Sequence, residues 1–125
     1  MKKVIMTPHA PKPVGPYSQA VLVGQTLYCS GQIAIDPKTN EVLKGSVKEE
    51  AELVMKNIGA VLKESDMSYD NIIKSTIFLI NMGDFATVNE VYGQYFKTDP
   101  PARSTISVKE LPKGVQVEIE VVACR

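Results

Sequence analysis

The segment that begins at Ser46 has the strongest structural pattern in the chain. Glu49 follows Ser46 at the third position, an arrangement typical of a helix N-terminus in which each side chain bonds the other residue's backbone N–H. Apolar residues then recur at helical spacing as far as Leu62, with charged residues between them. The pattern predicts an amphipathic helix that ends near Ser65-Asp66, and its apolar stripe needs a sheet to pack on.

Six other segments have the composition of β-strands, because they are rich in β-branched and aromatic residues. They are Val4–Met6, Ser18–Val23, Thr26–Ile35, Ile72–Ile80, Ala102–Val108 and Val115–Ala123. Gly24-Gln25 suits a type II′ hairpin between the second and third strands. A second helix is predicted from a cap at Asp84 through Phe96. The order βββαβαββ predicts an α+β fold, a six-stranded mixed sheet with two helices on one face.

The strand at Ile72–Ile80 is apolar at both alternating positions, as expected of a strand buried on both faces. Two helices can cover only one face of a six-stranded sheet. The sequence therefore predicts that the bare sheet faces of several copies pack together in a homo-oligomer.

The balance of charges bears on the choice of partners. The 125 residues, enough for a single domain spanning 1–125, include 14 Lys and Arg and 14 Asp and Glu, so the net charge is zero. Proteins that bind nucleic acid backbones usually concentrate basic residues on one face, whereas the lysines here are mixed with acids. We therefore expect no nucleic-acid partner, and a near-neutral surface favours self-association.

Cysteine and histidine are scarce in this chain, which has only Cys29, Cys124 and His9. Two thiols do not make a disulfide framework, and no cluster has zinc-ligand spacing, so no metal is expected. His9 lies in a proline-rich arm far from either cysteine in sequence, which disfavours a Cys–His nucleophile. No apolar run is long enough for a signal peptide or a membrane span, so we expect a cytoplasmic protein with no membrane partner.

Two neighbouring terminal strands of the predicted sheet each present a polar face. Alternation sets Arg103 on one strand, and Glu118 and Glu120 on the other. In one interpretation Arg103 binds a substrate carboxylate with its planar fork, while a glutamate orients or deprotonates a water. In the other, these residues form a cross-strand salt bridge, which is the commoner arrangement. The pattern alone leaves both open.

Two smaller features are compatible with a pocket or with ordinary packing. Tyr17 stands at the corner where the turn Val14-Gly15-Pro16 enters a strand, so its ring either lines a pocket or joins the core. Gly31 lies inside a predicted strand, which marks a bulge or the close approach of a ligand.

Four motifs together give the chain a specific resemblance. They are Gly15-Pro16-Tyr17-Ser18-Gln19-Ala20, Tyr28-Cys29-Ser30-Gly31-Gln32-Ile33, Pro101-Ala102-Arg103-Ser104 and Val117-Glu118-Ile119-Glu120. In this order and spacing they are similar to the RidA family, the reactive intermediate deaminases also called YjgF. The similarity extends over essentially the whole chain.

The resemblance implies a chorismate-mutase-like fold assembled as a homotrimer, with the sheets around a central barrel and three clefts between subunits. It implies hydrolysis of 2-iminobutanoate and 2-iminopropanoate, or their enamines, to 2-keto acids and ammonia. Dehydratases that use pyridoxal phosphate form these imines from threonine and serine, so the activity would protect pyridoxal-phosphate enzymes. Small 2-imino and 2-keto acids are the implied ligands, and the family needs no cofactor and no metal.

The resemblance also implies roles for individual residues, carried over by position. Arg103 would hold the substrate carboxylate, Glu118 would position the attacking water, and the backbone at Thr105 would help to fix both. The remaining residues would shape the pocket, and these are Tyr17, Ser30, Gly31 and Asn89.

The chain departs from the family pattern in two places. Thr105 stands where many members have cysteine, and a mild effect is expected because the backbone is the implied contact. The loop Lys97–Pro100 is a few residues shorter than in common members, and Pro100 replaces a frequent aromatic residue. The loop therefore bears on which size of substrate is preferred.

Two other functions stay open at this level. One is an RNA-cleaving translation inhibitor, a role attached to some relatives, although the neutral charge and the absence of a basic stripe oppose it. The other is a non-catalytic sensor that binds small carboxylates in the same cleft. Turnover of a freshly generated imine distinguishes the enzyme from the sensor.

Overall fold

A computed structural model describes all of residues 1–125. Eight strands and two helices follow one another in the order β1–β5, α1, β6, α2, β7, β8. Their bounds are β1 Lys2–Ile5, β2 Ala20–Val23, β3 Thr26–Cys29, β4 Ile35–Asp36, β5 Glu41–Val42, α1 Val47–Glu64, β6 Ile72–Leu79, α2 Phe85–Gly93, β7 Ala102–Ser107 and β8 Val117–Cys124.

Six of the strands form one mixed sheet in the order β1-β2-β3-β8-β6-β7. β6 and β7 are parallel and joined through α2, while every other neighbouring pair is antiparallel. The predicted α+β fold, a six-stranded mixed sheet with two helices, is confirmed. The prediction that β7 and β8 are neighbours is wrong, because β6 lies between them: the α2 crossover sets β7 on one side of β6, and β8 returns antiparallel on the other.

Helix α1 begins and ends as the sequence predicts. The Ser46 hydroxyl accepts from the Glu49 backbone N–H at 3.2 Å, and the Glu49 carboxylate accepts from the Ser46 N–H at 2.9 Å. Its apolar stripe is buried against the sheet and α2. Neither helix combines the length and the apolar character that crossing a membrane requires.

Helix α2 differs from its prediction at both ends. The Asp84 side chain makes no capping hydrogen bond. Asn81 instead accepts from the Gly83 N–H at 2.8 Å and starts a short 3₁₀ turn that leads into the helix. The helix ends at Gly93, three residues before Phe96, at a residue type with low helix propensity.

The predicted long strand from Thr26 to Ile35 is interrupted. β3 ends at Cys29, and the chain then returns to the sheet only through a single bridge between Gln32 and Ile119. The next residues form the small β4–β5 hairpin, which the sequence pattern did not predict because each strand has only two residues. Between β2 and β3, the φ angle of 61° at Gly24 fits the predicted type II′ turn.

One face of the sheet is left uncovered in a single chain. On β6 the residues facing the helices are buried, but Phe78 on the opposite face is only half-buried, so the expectation of burial on both faces is not met in one copy. Apolar side chains on that open face include Val4, Tyr28 and Ile106, which are 53%, 52% and 45% exposed. This surface remains available for association.

Candidate active site

A proline-rich arm, residues 7–16, brings Tyr17 to the surface beside the start of β2. Gly15 has a φ of 123°, which favours glycine, and the Tyr17 N–H donates to the Gly15 carbonyl at 3.0 Å. The Tyr17 hydroxyl accepts from the Val14 N–H at 3.4 Å. Tyr17 is 55% exposed, so the ring belongs to a pocket wall and not to the core.

The segment between β3 and β4 places Gly31 beside Glu118. Ser30 donates from its hydroxyl to the Ser18 carbonyl at 2.6 Å. Gln32 and Ile119 exchange backbone hydrogen bonds of 2.8 and 3.1 Å, which fixes Gly31 next to β8. A Cβ at Gly31 would overlap the Glu118 carboxylate, so only glycine leaves room for that side chain in its present position.

These residues line one cavity of about 570 Å³. Four of the seven residues predicted for the site are in its wall, namely Tyr17, Ser30, Gly31 and Glu118. The same wall includes residues that the sequence did not single out for the site, among them Lys12, Gln19, Gln32, Asn40 and Lys113. The turn residues Pro112-Lys113-Gly114 were a signal for a loop, but nothing in them indicated which surface the loop would face.

Glu118 supplies the one side-chain carboxyl group in the wall of this cavity. Burial raises the pKa of Glu118 above its usual value, and the negative charge of Glu120 on the same face of β8 raises it further. A half-buried carboxylate with a raised pKa is a better proton acceptor than an ordinary one. It can therefore orient and deprotonate a water in the cavity.

Arg103 lies outside this cavity, in a second cluster of predicted site residues next to α2. One guanidinium nitrogen donates to the Asn89 side-chain oxygen at 2.7 Å. The guanidinium carbon lies 5.6 Å and 5.2 Å from the ring centres of Phe85 and Tyr92, within the range of cation–π attraction. Asn89 uses one of five N–H donors, so the guanidinium is oriented but still able to bind a carboxylate.

Thr105 lies on the same face of β7 as Arg103, two residues along the strand. Its side chain is half-buried, and its hydroxyl oxygen has no hydrogen-bond partner. A buried hydroxyl without a partner costs free energy. Arg103 and Thr105 thus share one face of β7, and Asn89 of α2 accepts from the guanidinium.

The two clusters do not meet within one chain. Arg103 pairs with Ser75 in the sheet register, whereas Glu118 pairs with Phe78, and Ser75 and Phe78 point to opposite faces of β6. The salt bridge between Arg103 and a glutamate that the sequence left open is therefore excluded: the two strands are not neighbours and the side chains lie on opposite faces.

The remaining nucleophile and metal candidates lie apart from both clusters. Burial raises the pKa of the Cys29 thiol to about 12, so this cysteine is protonated and inert at neutral pH. His9 borders a different depression, near Lys63 and Asp66. No group of three or more His, Cys, Asp or Glu side chains has an arrangement that could hold a metal ion.

Comparison with known proteins adds to this geometry. The family model described as Endoribonuclease L-PSP matches residues 7–125. The human 2-iminobutanoate/2-iminopropanoate deaminase is 49% identical over 98% of this chain and 90% of its own length. A Rid family protein of unknown function from Yersinia pestis has a TM-score of 0.98 at 46% identity, with both chains covered completely.

A third relative was solved with a small ligand. TdcF of E. coli, with bound serine, has a TM-score of 0.94 at 41% identity over 98% of each chain. The resemblance seen in the four motifs is thereby confirmed. Since the family model spans nearly the whole sequence and these relatives share more than two-fifths of their residues with it, the chain belongs to the Endoribonuclease L-PSP family, as one of its RidA members.

Proposed function

We propose that this protein hydrolyses small 2-imino acids, and the enamines in equilibrium with them, to 2-keto acids and ammonia. The observation that carries the proposal is the Arg103 guanidinium, which Asn89 orients while leaving most of its donors free for a carboxylate. The name of the human relative, 2-iminobutanoate/2-iminopropanoate deaminase, supports the substrate class. The serine bound to TdcF supports it too, because serine has the same carboxylate beside a nitrogen-bearing carbon.

We also propose that the site is completed by a second copy of the chain in a homotrimer. Arg103 and Glu118 lie on opposite faces of the sheet, so one chain cannot offer both to one small molecule. β7 is an edge strand, and the sheet face opposite the helices exposes apolar side chains. Packing of these surfaces would bring the Arg103 cluster of one subunit to the Glu118 cavity of the next.

In the proposed mechanism, Arg103 binds the carboxylate of the imine and fixes C2 in the cleft. Glu118 accepts a proton from a water as the water oxygen bonds to C2, and the imine nitrogen takes up a proton from solvent, which gives a tetrahedral amino alcohol. Glu118 then returns its proton to the nitrogen. The C–N bond breaks as the C=O bond forms, the hydroxyl proton passes to Glu118 and from there to solvent, and the products are a 2-keto acid and ammonia.

The sparse set of groups is sufficient for this reaction. Imines hydrolyse readily in water, so the protein needs to supply only orientation and proton transfer. In this proposal Tyr17, Ser30 and Gly31 shape the cavity, and the backbone at Thr105 holds the substrate. The two free cysteines agree with a cytoplasmic setting, where thiols stay reduced.

The test couples a threonine dehydratase to this protein and follows 2-ketobutyrate formation against the spontaneous rate. Acceleration that is proportional to protein concentration is expected, together with less imine captured by semicarbazide. An unchanged rate would overturn the proposed function. Binding of 2-ketobutyrate without acceleration would identify the protein as a carboxylate sensor.

RNA cleavage is a second candidate because the family model is described as an endoribonuclease. The zero net charge opposes strong binding to a phosphate backbone. Incubation of the purified protein with labelled RNA at moderate salt tests this candidate. Cleavage that Arg103→Ala abolishes would revive it, whereas cleavage that survives this change would indicate a contaminating nuclease.

A further inference from the structure

Gln19 has no role in the reaction described above, yet its side chain is the most connected amide in the molecule. It is 1% exposed and immediately precedes β2. Its amide oxygen accepts from the Thr7 N–H at 2.7 Å. Its amide nitrogen donates to the carbonyls of Thr7, Ala10 and Pro11 at 3.0, 3.3 and 2.9 Å.

The arm that Gln19 contacts has few hydrogen-bond donors of its own. Residues 7–16 include four prolines, which have no backbone N–H, and the arm pairs with no strand. Carbonyl groups in such a segment need donors from elsewhere. The Gln19 amide supplies these donors from the interior, so one side chain takes the place of the backbone hydrogen bonds that a neighbouring strand would have made.

The main chain at Gln19 extends this connection to the other wall of the cavity. The Ser30 N–H donates to the Gln19 carbonyl at 2.9 Å, and Ser30 is followed by Gly31, which abuts Glu118. The arm itself carries Lys12 into the cavity wall and leads directly to Tyr17. Gln19 therefore lies between the two walls and is bonded to both.

We propose that Gln19 is a positioning residue that sets the distance between the arm, with Lys12 and Tyr17, and the Gly31–Glu118 wall. It does not touch the reacting atoms. Its effect is on substrate binding, because the arm moves relative to Glu118 when the amide is lost. The kinetic part of this inference rests on the proposed deaminase function, while the structural part stands without it.

Two variants separate the bonds that Gln19 makes. Gln19→Met keeps the length of the side chain and removes all four hydrogen bonds. Gln19→Glu keeps an acceptor for the Thr7 N–H and removes the donors to the three carbonyls. Both are expected to increase amide hydrogen exchange in peptides covering residues 7–18 by about tenfold or more. Exchange in α1 should not change.

The kinetic readout is a split between KM and kcat. A displaced arm is expected to raise KM by about tenfold and to leave kcat within about twofold, because Glu118 and Arg103 are retained. Tyr69→Phe is the matched control: it removes a part-buried hydrogen bond, to the Met55 carbonyl at 2.8 Å, but lies outside the cavity. It should lower the melting temperature without changing KM or the exchange of the arm.

Several outcomes would overturn the inference. The Thr7 amide proton of the unsubstituted protein should exchange slowly. Exchange at the rate of an unfolded peptide would contradict the proposal that Gln19 holds the arm in place, even if neither variant folds. Unchanged exchange of the arm in a folded Gln19→Met protein does so as well. A KM change no larger than that of Tyr69→Phe contradicts the positioning role. Absence of deaminase activity in the unsubstituted protein would contradict only the proposed function, since the exchange data test independently whether Gln19 holds the arm.

Discussion

Arg103 and Glu118 project from opposite faces of the same sheet, with β6 between their strands. The guanidinium packs over Phe85 and Tyr92, near Asn89 of α2, whereas the carboxylate lies in a cavity beside Gly31. In the proposed reaction Arg103 binds the carboxylate and Glu118 activates the water, and two groups so arranged can serve one small substrate only from different chains.

This arrangement predicts that inactive variants complement each other. Arg103→Ala and Glu118→Gln chains should each be nearly inactive alone. Refolded together in equal amounts, they should regain activity, because a site with Arg103 from one chain and Glu118 from the next forms at about one quarter of the interfaces of a random trimer. The measurement is the coupled dehydratase assay before and after mixing. No gain on mixing would contradict a site shared between subunits.

Replacing the Arg103 guanidinium by a lysine ammonium should lower activity even though the positive charge is kept. Arg103→Lys keeps the positive charge but cannot form two parallel hydrogen bonds to a carboxylate. We expect kcat/KM to fall by roughly 100-fold, or about 3 kcal/mol of transition-state stabilisation. Arg125→Lys is the control, because Arg125 donates to the Gln25 side chain and the Ser65 carbonyl, away from both clusters. Equal effects of the two changes would refute the carboxylate role.

A methyl group at Gly31 should damage activity without unfolding the protein. The new Cβ would overlap the end of the Glu118 side chain, which can swing away at little cost in stability but then no longer occupies its place in the cavity. We expect kcat to fall by about 100-fold with a nearly unchanged melting temperature. Gly93→Ala serves as the comparison, since its Cβ would meet open space at the end of α2. It should stabilise the protein by up to about 1 kcal/mol and leave kcat as it is.

The acid limb of the activity profile should respond to Glu120. The proposed mechanism needs the ionised form of Glu118, so kcat/KM should fall as the pH drops through the pKa of this group, which lies above the usual value of a glutamate. Glu120→Gln removes the repulsion that contributes to this shift, while the larger contribution, burial, remains. The acid limb should therefore move to lower pH but not as far as an exposed glutamate. A limb that stays in place would indicate that another group titrates there.

The local features of this fold could be predicted from the sequence. The Ser46–Glu49 capping box needs residues only three positions apart, and its hydrogen bonds form as expected. Alternation along β8 predicts Val117 and Ile119 on one face and Glu118 on the other, and in the structure Val117 and Ile119 are buried while Glu118 is not. These patterns depend on the period of a single element, which neighbouring residues determine.

The long-range relations depended on the tertiary structure. Nothing local states that β6 inserts between β7 and β8, and without that order Arg103 and Glu118 look like partners in a salt bridge. The sequence showed Gln19 only as part of a motif, and the tertiary structure revealed that its side-chain amide bonds to the backbone of residues 7–11. The sequence by itself determined most of the elements, the family and which side chains could do chemistry. Which of them share a face of the sheet was decided by strand order, because sheet pairing joins residues that are far apart along the chain.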